Sequence, residues 1–424
     1  MNSSYLSALP STVLLQFILP FLSVKEALRF DIAITDKSYR EEMCKQITNY
    51  INSVINQSFI GFEELEWLVK RNANITRLFF QAQVDTTELA TKLTNCLLFC
   101  NTSLTDLTIL VGNVIALIPS CALLPNLERF CLITDELPVS LSHFWSQHKT
   151  LKHVALYGQI SKDSDSILKL VESCTQLVSF DLTGYIYDGL IDALATHCPL
   201  LERICLVSTY ADYKEKLTEE PLIKLATNCV YLKELILCDF KDLIDTIVMA
   251  FVPHMSYITC LTLSGSKITN ASIRLIVTDC HQLKSIDVTY CPLVTKSGYL
   301  HLKLIPTLTS ITMLDLSGTE HTINPHTDDT GFANLLEVVK DANQLIDEYY
   351  FDADYGYAYD ENIGHNYDPY DNVMKNYGVF ALHDNYLYDN DGNYYTDDEE
   401  GEEDVGDEPD EEEEVEGEHI QKGD

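Results

Sequence analysis

Thirteen cysteines, twelve histidines and 65 acidic residues are spread over 424 positions, so their spacing is the first place to look for chemistry. The nearest approach to a metal site is Cys96-x-x-x-Cys100 within "NCLLFCN". Two thiols four residues apart share one helical face, but a buried helix also puts small apolar side chains there, and the flanking Leu97, Leu98 and Phe99 favour core over zinc. "DNDGNYYTDDEE" (Asp389 to Glu400) has the carboxylates of a calcium loop, yet Tyr394 stands where the sharp turn needs glycine, so no specific calcium site is expected. No phosphate-cradling glycine loop, GxSxG or HExxH occurs. The expectation is a protein that binds rather than catalyses, with no metal and no cofactor.

The remaining cysteines belong to a repeated element. Cys174, Cys198, Cys229 and Cys280 each lie three residues before a pattern apolar-x-x-apolar-x-apolar, which occurs ten times. It starts at Ile75, Leu104, Leu127, Leu151, Leu177, Leu201, Leu232, Ile258, Leu283 and Ile311, at intervals of 23 to 31 residues. The alternating end of the pattern predicts a short strand with one buried face. Ahead of most strands runs an amphipathic helix in constant register, as in Ile167, Leu170, Val171 and Cys174, or Ile273, Ile276, Val277 and Cys280. His148, Met255, Leu308 and Asn72 fill the same fourth slot elsewhere, and the cysteines and His148 are read there as core.

These residues resemble the cysteine-containing form of the leucine-rich repeat over roughly residues 62 to 345. "ITNASIRLIVTDCHQLKSIDVTYCPLVT" matches it most fully, with Cys280 and Cys291 at the family's two cysteine positions; Tyr185, Thr209 and Ser266 hold the second position in other repeats. The resemblance implies an α/β fold: a right-handed leucine-rich-repeat solenoid (a horseshoe) of about ten repeats, with parallel strands on the concave side. The repeats are assigned to 62–320 and a C-terminal cap helix to 321–345, after an insertion from Glu320 to Asp329. One such unit cannot bury its apolar face alone, so stacking makes the core. Outward strand positions would be the readers of a partner: His153, Tyr157, Asp181, Arg203, Glu234, Asp287 and Asp315 are the candidate substrate-binding residues.

The N-terminus opens with "LPSTVLLQFILPFLSVKEALRF". No Lys or Arg precedes Lys25, which argues against a secretory leader, and Pro20 and Lys25 cut the apolar run short of a membrane span. An intracellular protein, in cytoplasm or nucleus, is expected. A segment of this size cannot bury so much apolar surface, which either the first repeat or another chain must cover. Leu9, Pro10, Leu14, Leu15, Glu26, Leu28 and Arg29 are placed as in an F-box, which this stretch resembles over about residues 6–45, with 46–61 as a linker helix. The resemblance implies a small all-α segment binding a Skp-type adaptor through Leu9, Pro10, Leu14, Leu15, Ile18, Leu22 and Leu28. The whole would then be the substrate-recognition subunit of an SCF-type cullin ubiquitin ligase, presenting an unidentified protein target for degradation.

The charge of -37 is uneven. Residues 346–424 hold 28 acidic and 2 basic residues, and twelve tyrosines lie between Tyr349 and Tyr395. With few aliphatic residues to offset chain entropy, 346–424 is expected to be a disordered tail, Tyr-rich and then acidic. No basic footprint for nucleic acid is present, and no membrane partner is expected. The acidic run suits weak attraction to basic proteins. Repeats with an acidic C-terminus also resemble the Ran GTPase-activating protein and histone-binding acidic nuclear phosphoproteins, so a non-ligase scaffold is the alternative.

Overall fold

The computed structural model describes residues 41–42, 44–45, 48, 61–81, 87–110, 124–136, 141–159, 165–208, 217–314, 320–328, 330–333 and 336. The adaptor-contact residues proposed above (Leu9, Pro10, Leu14, Leu15, Ile18, Leu22 and Leu28), the linker up to 60 apart from a few helical positions, and the tail from 346 onward lie outside the described residues.

The apolar pattern that starts at Ile75 yields a strand two residues later, and the same happens along the chain. The strands are β1 (Arg77–Gln81), β2 (Asp106–Leu110), β3 (Arg129–Glu136), β4 (His153–Gln159), β5 (Ser179–Gly184) and β6 (Arg203–Ser208). They continue with β7 (Glu234–Cys238), β8 (Cys260–Thr262), β9 (Ser285–Asp287), β10 (Ser310–Leu314) and β11 (Glu320–Ile323). They form one sheet in sequence order, and β1 to β10 are parallel. Adjacent parallel strands need a crossover. The described crossovers contain helices α1 (Phe62–Lys70, preceding β1), α2 (Thr87–Phe99), α3 (Ser142–Gln147), α4 (Asp165–Ser173), α5 (Asp188–His197), α6 (Glu219–Asn228), α7 (Asp245–Phe251), α8 (Asn270–Asp279) and α9 (Lys296–Leu302). This is an α/β solenoid of the leucine-rich-repeat kind, built one repeat per strand.

The helix stripe and one strand face share a single core. Leu170, Val171 and Cys174, then Leu194, Ala195 and Cys198, pack with Leu177, Phe180, Leu201 and Ile204 in it. Burying one such leucine contributes ~1.5–3 kcal/mol, and the stack repeats this in every turn. Beyond packing, the cysteine slot forms a ladder. The thiol of Cys174 donates to the carbonyl of His148 (3.5 Å), Cys198 to Cys174 (3.8 Å) and Cys229 to Cys198 (3.6 Å). A thiol is small enough for the slot and still supplies a weak donor to the preceding repeat, which alanine would not. The second cysteine position behaves alike: Cys291 Sγ reaches Leu263 O at 3.1 Å and Ser266 Oγ at 3.3 Å.

Helix starts are also tied across repeats. Asp188, first in α5, accepts the N–H and hydroxyl of Thr218, the residue before α6; Asp245 of α7 does the same for Thr269 ahead of α8. Asn270 of α8 makes a related contact with Thr295 ahead of α9, its Oδ1 accepting the Thr295 N–H and its Nδ2 donating to the Thr295 hydroxyl oxygen. Each pair satisfies donors at a helix start that would otherwise need water.

Two registers differ from the sequence expectation. The tenth repeat starts at Leu308, not Ile311: Ser310 pairs with Ser285 and Ile311 with Ile286, while Thr309 and Ser310 both donate to Lys284 O as Lys284 and Ser285 do to Thr259 O. Leu308 therefore belongs to the strand entry, and Ile305 takes the helical slot, with Leu308 N donating to Ile305 O. Asn72 is also outside the slot. It lies at φ 55° and closes α1, with Asn72 N bonded to Val69 O and Ala73 N to Leu68 O, so Ala73 is buried and Asn72 exposed. The expected insertion at 320–329 contains β11, which pairs antiparallel with β10 across Ile311–Ile323, and residues 330–333 and 336 are helical.

Candidate protein-binding face

Strand alternation turns one set of side chains away from the helices. In the first row across the sheet stand Arg77, Asp106, Arg129, His153, Ser179, Arg203 and Glu234, each paired with the next. Charges of opposite sign meet across neighbouring strands. Asp106 lies 3.9 Å from the Arg77 guanidinium and 3.2 Å from that of Arg129. Arg203 is held on two sides: Nε and Nη2 donate to Asp181 at 3.3 Å each, and Nη1 donates to Glu234 Oε2 at 2.6 Å. Tyr157 donates its hydroxyl to Asp181 Oδ2 at 3.3 Å.

Four of the candidates, Tyr157, Asp181, Arg203 and Glu234, are thus brought into one network. His153 stands in the same row, half-buried, on the strand before Asp181. Asp287 is two strands beyond Glu234 and outside the network; its Oδ1 accepts the Thr289 N–H at 2.9 Å within its own turn. Asp315 lies outside the described residues, and the shift of the tenth repeat makes Ser310 and Thr312, rather than Met313 and Asp315, the partners of Ser285 and Asp287. Arg77, Asp106 and Arg129 were not among the candidates, although counting two residues from Ile75, Leu104 and Leu127 finds them.

Exposure differs from expectation more than position does. Tyr157 and Asp181 were read as outward readers, yet Tyr157 is only 2% exposed and Asp181 7%. Tyr157 joins Cys205 (1%), Val207 (1%) and Ile236 (0%) in a second apolar cluster, with Cys131, Ile133, Ala155 and Cys238 packed against it. Alternation fixes which way a side chain points but carries no information on what lies over it.

Burial sets the protonation of this face. It raises the Asp181 carboxyl from its ordinary value even against the Arg203 charge. Burial alone would lower Arg203, but Asp181 and the bond to Glu234 hold it above its ordinary value. Burial, then Arg129, push His153 down to about 4, so it is neutral at pH 7. Burial pushes the Cys131 thiol up to about 12 and Cys205 well above its ordinary value, which keeps both protonated and poorly nucleophilic. Cys96 and Cys100 are buried core residues with raised pKa, Cys100 to about 12. Among the described residues no group of three or more His, Cys, Asp or Glu is placed to hold a metal ion, and no described helix is long and apolar enough to cross a membrane. What this face offers a partner is hydrogen bonding and apolar contact. An exposed apolar strip also marks the strand entries, where Leu200, Tyr231 and Tyr257 occupy one position in successive repeats.

No protein-family model matches the chain, and no curated protein matches it. Solved structures do. The Rad7–Elc1 complex of yeast aligns at 17% identity over 68% of this chain and 86% of that one, with a TM-score of 0.45. The leucine-rich repeat-containing protein LegL7 from Legionella pneumophila aligns at 14% identity over 64% of this chain and 94% of that one, with a TM-score of 0.38. The Toll–Spatzle complex of Drosophila aligns at 13% identity and a TM-score of 0.35, over 57% of this chain but only 29% of that one.

Proposed function

We propose that the chain is the substrate-recognition subunit of a cullin-type ubiquitin ligase. In this reading residues 6–45 bind a Skp-type adaptor and the strand face of the solenoid binds a protein target. The observation that carries it is the order along the chain: an F-box-like run of Leu9, Pro10, Leu14, Leu15, Glu26, Leu28 and Arg29 stands ahead of a parallel-strand solenoid. The chain itself forms and breaks no bond; it raises the effective concentration of its target beside the ligase.

The support from the solenoid is its geometry. Row upon row of side chains at strand spacing, ~4.8 Å, makes a broad surface of mixed polarity suited to another protein. A pull-down of purified Skp adaptor by the full chain tests the reading. Capture by the parent and loss of capture by Leu14→Asp/Leu15→Asp is the expected result; failure of the parent to capture adaptor overturns it.

A further inference from the structure

We propose that the β1–β3 end of the strand face is an anion clamp, in which the Arg77 and Arg129 guanidiniums bind carboxylates of an acidic segment of a protein target. The proposal rests on the reading of the strand face as the target-binding surface and does not depend on adaptor binding.

Three arginines stand in the first row, and the sheet uses them differently. Arg203 commits Nε, Nη1 and Nη2 to Asp181 and Glu234, and its side chain is 20% exposed. Its donors are spent on its own sheet. Arg77 and Arg129 instead flank one carboxylate, both approaching Asp106 Oδ2 through Nε, at 3.9 and 3.2 Å. The Nη groups of both have no hydrogen-bond or ion-pair partner among the described residues. Their side chains are 35% and 52% exposed, against 11% for Asp106. Two guanidiniums thus share one largely covered carboxylate, and each keeps donors in reserve. A guanidinium fork matches the two oxygens of a carboxylate and is more weakly hydrated than an ammonium, so these unused donors suit an incoming acid.

The surrounding charge favours an anion at this end and not at the other. In the first two rows and the position before them, β1 to β4 carry Arg77, Arg129 and Lys152 against Asp106 and Glu128. Over β5 to β7, Arg203 and Lys233 stand against Asp181, Glu202 and Glu234. One end of the face is therefore net positive and the other net negative. His153, on the strand after Arg129, reports the same field: after burial, Arg129 and Lys152 are what lower its pKa. An acidic segment is drawn to β1–β3 and repelled from β5–β7, which fixes where along the face it lies. The two forks are two strands apart, ~9.6 Å, a span that two side chains of one extended segment can bridge. Partly open Phe79 and Cys131, in the next row on the same two strands, offer apolar contact beside the clamp.

Fluorescence anisotropy on the full chain tests this, at about 150 mM salt so that distant charges are screened. The probe is a labelled twelve-residue peptide of alternating glutamate and serine, which puts its carboxylates on one face when extended; the same peptide with glutamine for glutamate is the control. The glutamate peptide is expected to bind at least about tenfold more tightly than the control. Arg77→Gln/Arg129→Gln is expected to weaken it at least about tenfold, and Arg77→Lys/Arg129→Lys, which keeps cations beside Asp106 and so protects the fold, at least about threefold. Lys233→Gln/Lys284→Gln removes equal charge elsewhere and is expected to change affinity less than about twofold. Equal affinity for the two peptides, retained affinity in either arginine variant, or equal loss in the Lys233/Lys284 variant overturns the proposal. Deleting residues 397–424 checks the rival occupant. A rise in affinity below about tenfold is expected; a larger rise assigns the clamp to this chain's own acidic run and overturns the target reading. Adaptor capture by the same arginine variants is expected to equal the parent's, so failure of the clamp and failure of the ligase reading are told apart.

Discussion

Arg203 holds two acids on two strands, and its removal should be costly out of proportion to one ion pair. Asp181 would remain buried without its cation, and breaking a buried pair from one side costs roughly 3–5 kcal/mol. Arg203→Ala is therefore expected to lower the melting temperature more than the double change Arg203→Ala/Asp181→Ala. Thermal melts of both variants at pH 7 check the order. Asp239 offers a second test. It sits at φ 63° in the turn after β7, its Oδ2 is shielded and has no hydrogen-bond partner among the described residues, and burial pushes its carboxyl up to about 7 from 3.8. The folded state thus binds the proton more tightly than the unfolded one, so this carboxyl's contribution is present below pH 3.8 and is lost as pH rises to about 7. Asp239→Asn tolerates the same backbone. It is expected to raise the melting temperature by a few degrees at about pH 8, with no gain near pH 4.

At the scale of the elements, the ties between helix starts should matter as much as helix propensity. Burial would raise the Asp245 carboxyl, but bonds from the Ser272 and Thr269 side chains and backbone hold it below its ordinary value. Asp245→Ala is expected to cost about 1 kcal/mol at pH 7, as a lost cap does. A depressed pKa contributes stability above 3.8 and loses it as pH falls through the folded value, so the gap between parent and variant should close in acid. Nine of ten repeat starts were legible because helix and strand periods are local. The tenth was not: "LTSITM" from Leu308 and "ITMLDL" from Ile311 both satisfy the pattern, and only pairing with Ser285 on β9 selects the first. Asn72 was misread for a related reason, since a left-handed helix end and a buried slot look alike by spacing. Arg203 and Asp181 could be placed on one face from sequence. Their closeness could not, because it depends on the register between β5 and β6.

At the scale of the whole molecule, the described residues form a one-dimensional stack. Each repeat is stabilised mainly by its neighbours, through the shared core, the cysteine ladder and the cap ties, so the strand face is a rigid template. In the proposed reading, that template holds a target and the N-terminal segment holds the ligase. Adaptor binding by purified full-length protein, followed by calorimetry, tests this most directly. The account predicts saturable one-to-one binding by the parent, and none by Leu14→Asp/Leu15→Asp with its circular dichroism unchanged. A parent protein that shows no binding to the adaptor contradicts it.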